Sequence, residues 1–192
     1  MDYVTSDLHF GDENVLFKRF GNLNQNKYTS LIIENFNAIL NDDDFLYVLG
    51  DIGEAKHFSL LKSVFSKIKG RKILIKGNHD IMKDEAYKEI GFEKVYDFPL
   101  FYENNIIFSH YPLPLDNSYY INIHGHLHNE KLNLKNYFNA SVDVNGYKPV
   151  KVVLFTRFAS NLKRVEKKFG NEWYFKESEK GQNILKENLM RI

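Results

Sequence analysis

The sequence has no cysteine, a single tryptophan and only four prolines in 192 residues. Without cysteine there can be no disulfide scaffold, no thiolate metal site and no thiol nucleophile. No apolar run approaches the ~20 residues of a membrane-spanning helix. The start, Met1-Asp2-Tyr3-Val4-Thr5-Ser6-Asp7, lacks the basic residues and apolar stretch of a secretory signal. Internal repeats, low-complexity tracts and Pro/Ser-rich linkers are also missing. What is abundant completes the picture. Apolar residues make up 43% and aromatics 15%, with 16 Phe and 12 Tyr, too much apolar surface for a disordered chain. The expectation is a soluble, cytoplasmic, single-domain protein without a membrane partner.

A net charge of +1 gives no case for a polyanionic partner. The charge is unevenly spread, however, with a balance of −4 over residues 1–150 and +5 over 151–192. The basic end could meet nucleic acid, a second subunit or the acidic body of its own chain. Packing on its own body is the expectation for so short a segment.

Short apolar runs alternate with helix-like stretches, the pattern of an α/β domain. Strands are expected at Tyr3–Ser6, Phe45–Leu49, Lys72–Lys76, Ile106–Ser109, Tyr119–Ile123, Tyr137–Val144 and Val150–Phe155. Helical spacing of apolar residues marks Tyr28–Leu40, Glu54–Lys69 and Lys83–Ile90, the last two closed by Gly70 and Gly91. Further helices are expected near 158–170 and 182–190.

The informative residues follow the strands. Asp7-Leu8-His9 follows the first, Gly50-Asp51 the second and Gly77-Asn78-His79-Asp80 the third. Ser109-His110 closes the fourth and His124-Gly125-His126-Leu127-His128 the fifth. Functional groups of α/β sheets collect outside the carboxyl ends of strands, and six of the seven histidines fall in these segments. Asp7-x-His9 and His126-x-His128 would each aim two side chains the same way if the backbone there is extended. Asp51 could bridge two cations through its two oxygens, and Asn78 could add a neutral amide oxygen. Such a sulfur-free N/O set suits Mn, Fe, Zn, Co or Ni, and is richer in imidazole than Mg or Ca sites.

Together these five blocks resemble the calcineurin-like binuclear metallophosphoesterases, in that family's order and over about residues 2–150. The chain looks most like the small bacterial and phage phosphoesterases, whose ends resemble Thr5-Ser6-Asp7-Leu8-His9-Phe10-Gly11 and Val142-Asp143-Val144-Asn145-Gly146-Tyr147-Lys148-Pro149-Val150. It departs from them at Asp12, where a histidine is common. The resemblance implies a four-layer α-β-β-α sandwich, two mixed sheets flanked by helices. Residues 1–150 would form the catalytic core and 151–192 a basic strand-plus-helix extension on the same domain. It also implies that Asp7, His9 and His128 hold one divalent metal ion, that Asn78, His110 and His126 hold another, and that Asp51 bridges them. Manganese is the first expectation for the metal, with Fe, Zn, Ni or Co as alternatives. The implied activity is phosphoester hydrolysis by a metal-bridging hydroxide, with His79 as general acid and Asp80 fixing its tautomer. The substrate would be a small mono- or diester, a nucleotide or an RNA end among the options, and the protein a monomer or homodimer. The alternative is a non-catalytic binding or scaffold protein on the same fold.

Several residues have plainer readings. Asp42-Asp43-Asp44 is expected to be a solvated helix end, His57 structural or surface, and His124 a support for the ligands. Phe10, Phe17, Phe20 and Tyr111 flank the site segments and could stack on a base, although most aromatics will be core. Gly50-Asp51-Ile52-Gly53-Glu54-Ala55-Lys56 lacks the arginine of the related Ser/Thr protein phosphatases. The short Tyr111–Ile123 interval leaves no room for a nuclease-type capping domain.

Overall fold

Alternation along the buried strands divides the interior into two cores. In the computed structural model, which describes residues 1–156 except 23, 116–119, 131 and 133, two mixed sheets lie face to face. The first contains β1 (Asp2–Thr5), β2 (Phe45–Val48), β3 (Arg71–Ile75), β4 (Phe92–Tyr96) and β9 (Val150–Lys151) in the order β4-β3-β2-β1-β9. Its first four strands are parallel, and β9 pairs antiparallel with β1. The second contains β5 (Leu100–Phe101), β6 (Ile106–Ser109), β7 (Ile121–His124) and β8 (Tyr137–Asn139) in chain order. Here β6, β7 and β8 are parallel and β5 is antiparallel.

Successive residues of a strand face opposite ways. Tyr3, Leu46, Val48 and Leu74 therefore enter the core beneath the helices. Val4, Leu49 and Ile75 enter the core between the sheets, against Ile106, Phe108, Ile121 and Ile123. Among the described residues, four helices supply an outer layer on the first sheet: α1 (Glu13–Phe20), α2 (Gln25–Asn37), α3 (Phe58–Phe65) and α4 (Asp84–Ile90). Tyr28, Ile32 and Phe36 recur every four residues along α2, so they share one face and bury it completely. Among the described residues, no helix is long and apolar enough to cross a membrane.

The differences from the sequence expectations are local. The strand expected at Tyr137–Val144 stops at Asn139, because Asn139, Ser141 and Asn145 bond nearby backbone groups and fold the chain into turns. The one expected at Val150–Phe155 stops at Lys151, and 153–156 form a helical turn. Glu54–Lys69 opens with a tight 3₁₀ turn over Ala55–His57 before α3 begins. Helix α1 and strands β4 and β5 escaped the pattern reading. Leu16 is the one buried residue of α1, and β5 has two residues, so neither carries a strong apolar period. Asp42 and Asp43 are exposed as expected, whereas Asp44 is buried and accepts from the Met1 amino group and Asn41 N. The helices expected beyond residue 157, and the start of the strand expected at 119, lie outside the described residues.

Removing one large side chain from the helix-side core should cost more than its transfer energy, because the parallel sheet cannot collapse around the void. Phe36→Ala is expected to lose about 3–5 kcal/mol of unfolding free energy. A urea-midpoint shift of less than about 1 kcal/mol would show that Phe36 is not a core anchor.

Candidate metal centre

The carboxyl ends of β1, β2 and β3 in one sheet meet those of β6 and β7 in the other. Bonds between segments hold them in register. His126 N donates to both Asp7 carboxylate oxygens at 3.0 and 3.1 Å. Gly125 N donates to His110 O at 2.9 Å, and His110 Nδ1 to Leu49 O at 2.8 Å. The approach is close enough to demand glycine. A Cβ on Gly125 would lie 2.6 Å from Ser6 Oγ, and one on Gly77 would strike Asp51 Oδ1.

Backbone conformation corrects the expectation that an extended chain aligns Asp7 with His9 and His126 with His128. All four have positive φ, at 57°, 50°, 70° and 50°, and Asp51 joins them at 55°. Positive-φ residues flank Leu8 and Leu127, and the turned backbone brings Asp7 and His9 to one set of ligand atoms while it sends His126 and His128 to two different sets. Asp and His tolerate this region better than most residues, but each such position still costs about 1 kcal/mol or more.

Two sets of ligand-type atoms result, each with its members within 4.8 Å of one another: Asp7, His9 and His128, and Asp51, His110 and His126. Asn78 joins the second set. His110 Nε2, His126 Nδ1 and Asn78 Oδ1 form a triangle with sides of 3.0, 3.1 and 3.2 Å. Asp51 Oδ2 stands between the sets, 3.5 Å from His9 Nε2 and 3.5 Å from His110 Nε2. The structure thus brings together all seven residues singled out as ligand candidates. A third grouping, His9, Asp12 and His79, shares His9 with the first.

The donors fit divalent ions on chemical grounds. With metal–nitrogen distances of about 2.0–2.1 Å, neighbouring ligands sit about 2.9–3.4 Å apart for right-angled to tetrahedral arrangements, and the triangle lies in that range. Because His110 Nδ1 donates to a carbonyl, its Nε2 presents a lone pair. His9 Nε2 is buried with no hydrogen-bond partner among the described residues. Burial, followed by the charges of His128, Arg19 and His79, lowers the His9 pKa to about 2, so the ring stays neutral. Burial also lowers His126, with His110 adding to the effect. Neutral imidazoles with open nitrogens are what a metal requires.

Asp80 takes a different place from the one expected. Both of its oxygens are engaged by backbone N–H groups, from Asp51 and Gly77 to Oδ2 at 2.7 and 2.8 Å and from Ile52 to Oδ1 at 3.1 Å. It ties the loops after β2 and β3 together, which is a positioning task. Burial, reinforced by the charge of Asp51, raises its pKa to about 6 against those three donors. His79 is exposed at the rim, its N–H bonded to Asp51 Oδ1 at 3.0 Å and its ring edge-on to His9 at 5.1 Å. His124 is buried, with Nδ1 donating to Gly125 O. Asp12 caps α1 through Asn14 and Val15 N, and its other oxygen lies 3.8 Å from His9 Nδ1.

The sequence reading missed Arg19, which supports the first set from behind. Its guanidinium grips both oxygens of Asp143 at 2.6 Å and donates to Asp7 O at 2.6 Å, Leu8 O at 3.3 Å and Tyr28 Oη at 3.0 Å. Asp143 in turn lies 3.2 Å from His128 Nδ1 and raises that ring's pKa. Burial pushes Asp143 up, but hydrogen bonds from His128 and Arg19 outweigh it and bring its pKa to about 2. The available signal was a lone arginine in an acid-capped stretch, Asp12 to Phe20, which has too little apolar periodicity to read as a helix.

Arg19→Met should leave Asp143 buried without its guanidinium partner and cost about 3–5 kcal/mol in urea unfolding of the chelator-treated protein. Adding Asp143→Asn should recover part of that loss. Strict additivity of the two changes would show that the pair is not coupled.

The chain is similar to several known proteins. The chain is 30% identical over 179 residues to an uncharacterized protein of Methanocaldococcus jannaschii, covering 85% of this chain and 93% of that one. A solved protein of unknown function from Aquifex aeolicus is 29% identical, with a TM-score of 0.65 over 82% of this chain and 98% of its own. A nuclease from Pseudomonas putida is 19% identical, with a TM-score of 0.48 over 66% and 61% of the two chains. The calcineurin-like phosphoesterase family model matches residues 3–180. With nearly the whole chain matched, and two mixed sheets ending in a cluster of metal-ligand side chains, the protein belongs to the calcineurin-like phosphoesterase family.

Proposed function

We propose that this protein hydrolyses a small phosphoester with two divalent transition-metal ions, manganese first among them. Asp7, His9 and His128 would hold one ion and Asn78, His110 and His126 the other, with Asp51 shared. The observation that carries this reading is Asp51 Oδ2, 3.5 Å from an imidazole nitrogen of each set, one of them otherwise unpartnered among the described residues. Ions held there would supply Lewis-acid charge at the phosphoryl oxygens and make a water acidic enough to attack near neutral pH.

The chain's own groups set the electrostatics and move the proton. Asp7 and Asp51 bring two negative charges and the histidines and Asn78 none, so two divalent ions leave the site positive toward an anionic ester. No basic surface is needed to draw the substrate in. His79 sits at the open rim, where solvent and a departing alkoxide can both reach it. Its backbone is fixed by Asp51, so a ring N–H can pass a proton to the leaving oxygen as general acid. Asp80 serves by holding the two loops that carry Asp51, Asn78 and His79.

Hydrolysis of para-nitrophenyl phosphate and its bis-ester should vanish after chelation and return on adding Mn. Absence of turnover with Mn, Ni, Co, Fe and Zn alike would favour a non-catalytic binding protein on the same fold. Asp51→Asn should lose both bound metal and activity, and full metal retention would count against a shared carboxylate. His79→Ala should keep its metal while turnover of a poorly activated ester falls about 10²–10⁴-fold. An unchanged rate in that variant would remove His79 from the proton transfer.

A further inference from the structure

Four aromatic side chains flank the site segments, and the fold disposes of them differently. Phe10 is fully buried, and Phe20 packs against Tyr28 and Tyr147. Phe17 is exposed on α1 and makes no ring contact with the cluster among the described residues. Tyr111 alone of the four combines exposure, at 47%, with direct contact to the ligand set. Its ring centroid lies 4.5 Å from that of His126 and 4.9 Å from that of His110.

The backbone that presents Tyr111 is pinned. Ser109 Oγ donates to Tyr111 O at 2.6 Å and accepts from the fully buried Asn122 Nδ2 at 2.8 Å. Asn122 Oδ1 accepts from Leu113 N at 2.8 Å, and Tyr137 Oη bonds both Leu113 O and Leu115 N. A segment tied at three points around a half-exposed ring loses little freedom when a ligand lands on it, and such preorganisation is what converts contact into affinity. The turn that carries His79 also exposes Ile81, whose N–H bonds His79 O.

We propose that Tyr111 is a specificity residue, a stacking platform that selects phosphoesters bearing a nucleobase. The inference rests on the phosphoester-hydrolase reading and narrows its substrate class. Base–aromatic stacking needs one accessible ring face, and it tolerates any base because each presents a π-face. The charge of the part that supplies the cluster favours a small nucleotide over a polymer. A nucleic-acid strand calls for cations that track its backbone, whereas residues 1–150, which supply every residue of the cluster, carry a net charge of −4 and Arg19 is buried against Asp143; the +5 carried by residues 151–192 lies outside the described residues apart from its first few positions.

The test compares wild type, Tyr111→Phe and Tyr111→Ala, each loaded with Mn and assayed for bound metal. The substrates are adenosine 5′-monophosphate and ribose 5-phosphate, together with the para-nitrophenyl ester of thymidine 5′-monophosphate and methyl para-nitrophenyl phosphate. Binding of adenosine and ribose is measured by calorimetry on the same samples. Tyr111→Ala should raise KM for the base-bearing member of the reactive pair by roughly 5- to 100-fold relative to the base-free member. It should weaken adenosine binding by a similar factor, while Tyr111→Phe retains both. An equal loss on both members, or a fall in bound metal that explains the loss, would reassign Tyr111 to packing against His126 and overturn the proposal. Lack of turnover by metal-loaded wild type on every ester would overturn the hydrolase reading instead. Adenosine binding that depends on Tyr111 would still support the platform in that event, and binding indifferent to it would overturn the platform too.

Discussion

Lone pairs crowded without enough protons between them are the constraint on which the rest of this structure depends. His110 Nε2, His126 Nδ1 and Asn78 Oδ1 stand 3.0–3.2 Å apart, and His110 Nδ1 already donates to Leu49 O. Asp51 Oδ2 faces the same His110 nitrogen and one further nitrogen, His9 Nε2. In water such groups would turn away from one another. Here the strand ends prevent it, and the repulsion becomes affinity for positive charge.

Holding that arrangement has a structural cost. Five residues of the cluster adopt left-handed backbone, at about 1 kcal/mol or more each, a substantial share of the ~5–15 kcal/mol by which a domain is usually stable. The two cores offset it. Completely buried aromatics such as Tyr28, Phe36 and Phe65 under the helices, and Phe108 between the sheets, fix the strands from both faces. The strained residues sit just past the strand ends, where a parallel sheet no longer needs extended backbone.

This division explains what the sequence revealed. Strand cores and the side chains after them were legible because alternation and residue type are local signals. His9, Asp51, His110 and their companions announce themselves by chemistry as well as position. The route by which Asp7 and His9 converge was not legible, since a left-handed turn and an extended pleat can both bring residues i and i+2 together. Asp80 was misread for a related reason. Its acceptor groups are main-chain N–H, which no residue letter encodes. Arg19 stayed hidden because its partners, Asp7 O, Leu8 O and Asp143, are adjacent only after folding. Side-chain chemistry carried by a strand end could be read, and backbone chemistry supplied by tertiary contact could not.

The grip of Asp80 on main-chain N–H groups has a further consequence. Asp51 N, Ile52 N and Gly77 N belong to two separate crossovers, yet they share one carboxylate as anchor. The loops after β2 and β3 therefore form a single mechanical bracket. Because the bracket clasps backbone, neighbouring side chains can diversify without loosening it. Exposed side chains at the rim, which the bracket does not touch, could be exchanged while the chassis that carries Asp51 and Asn78 stays put.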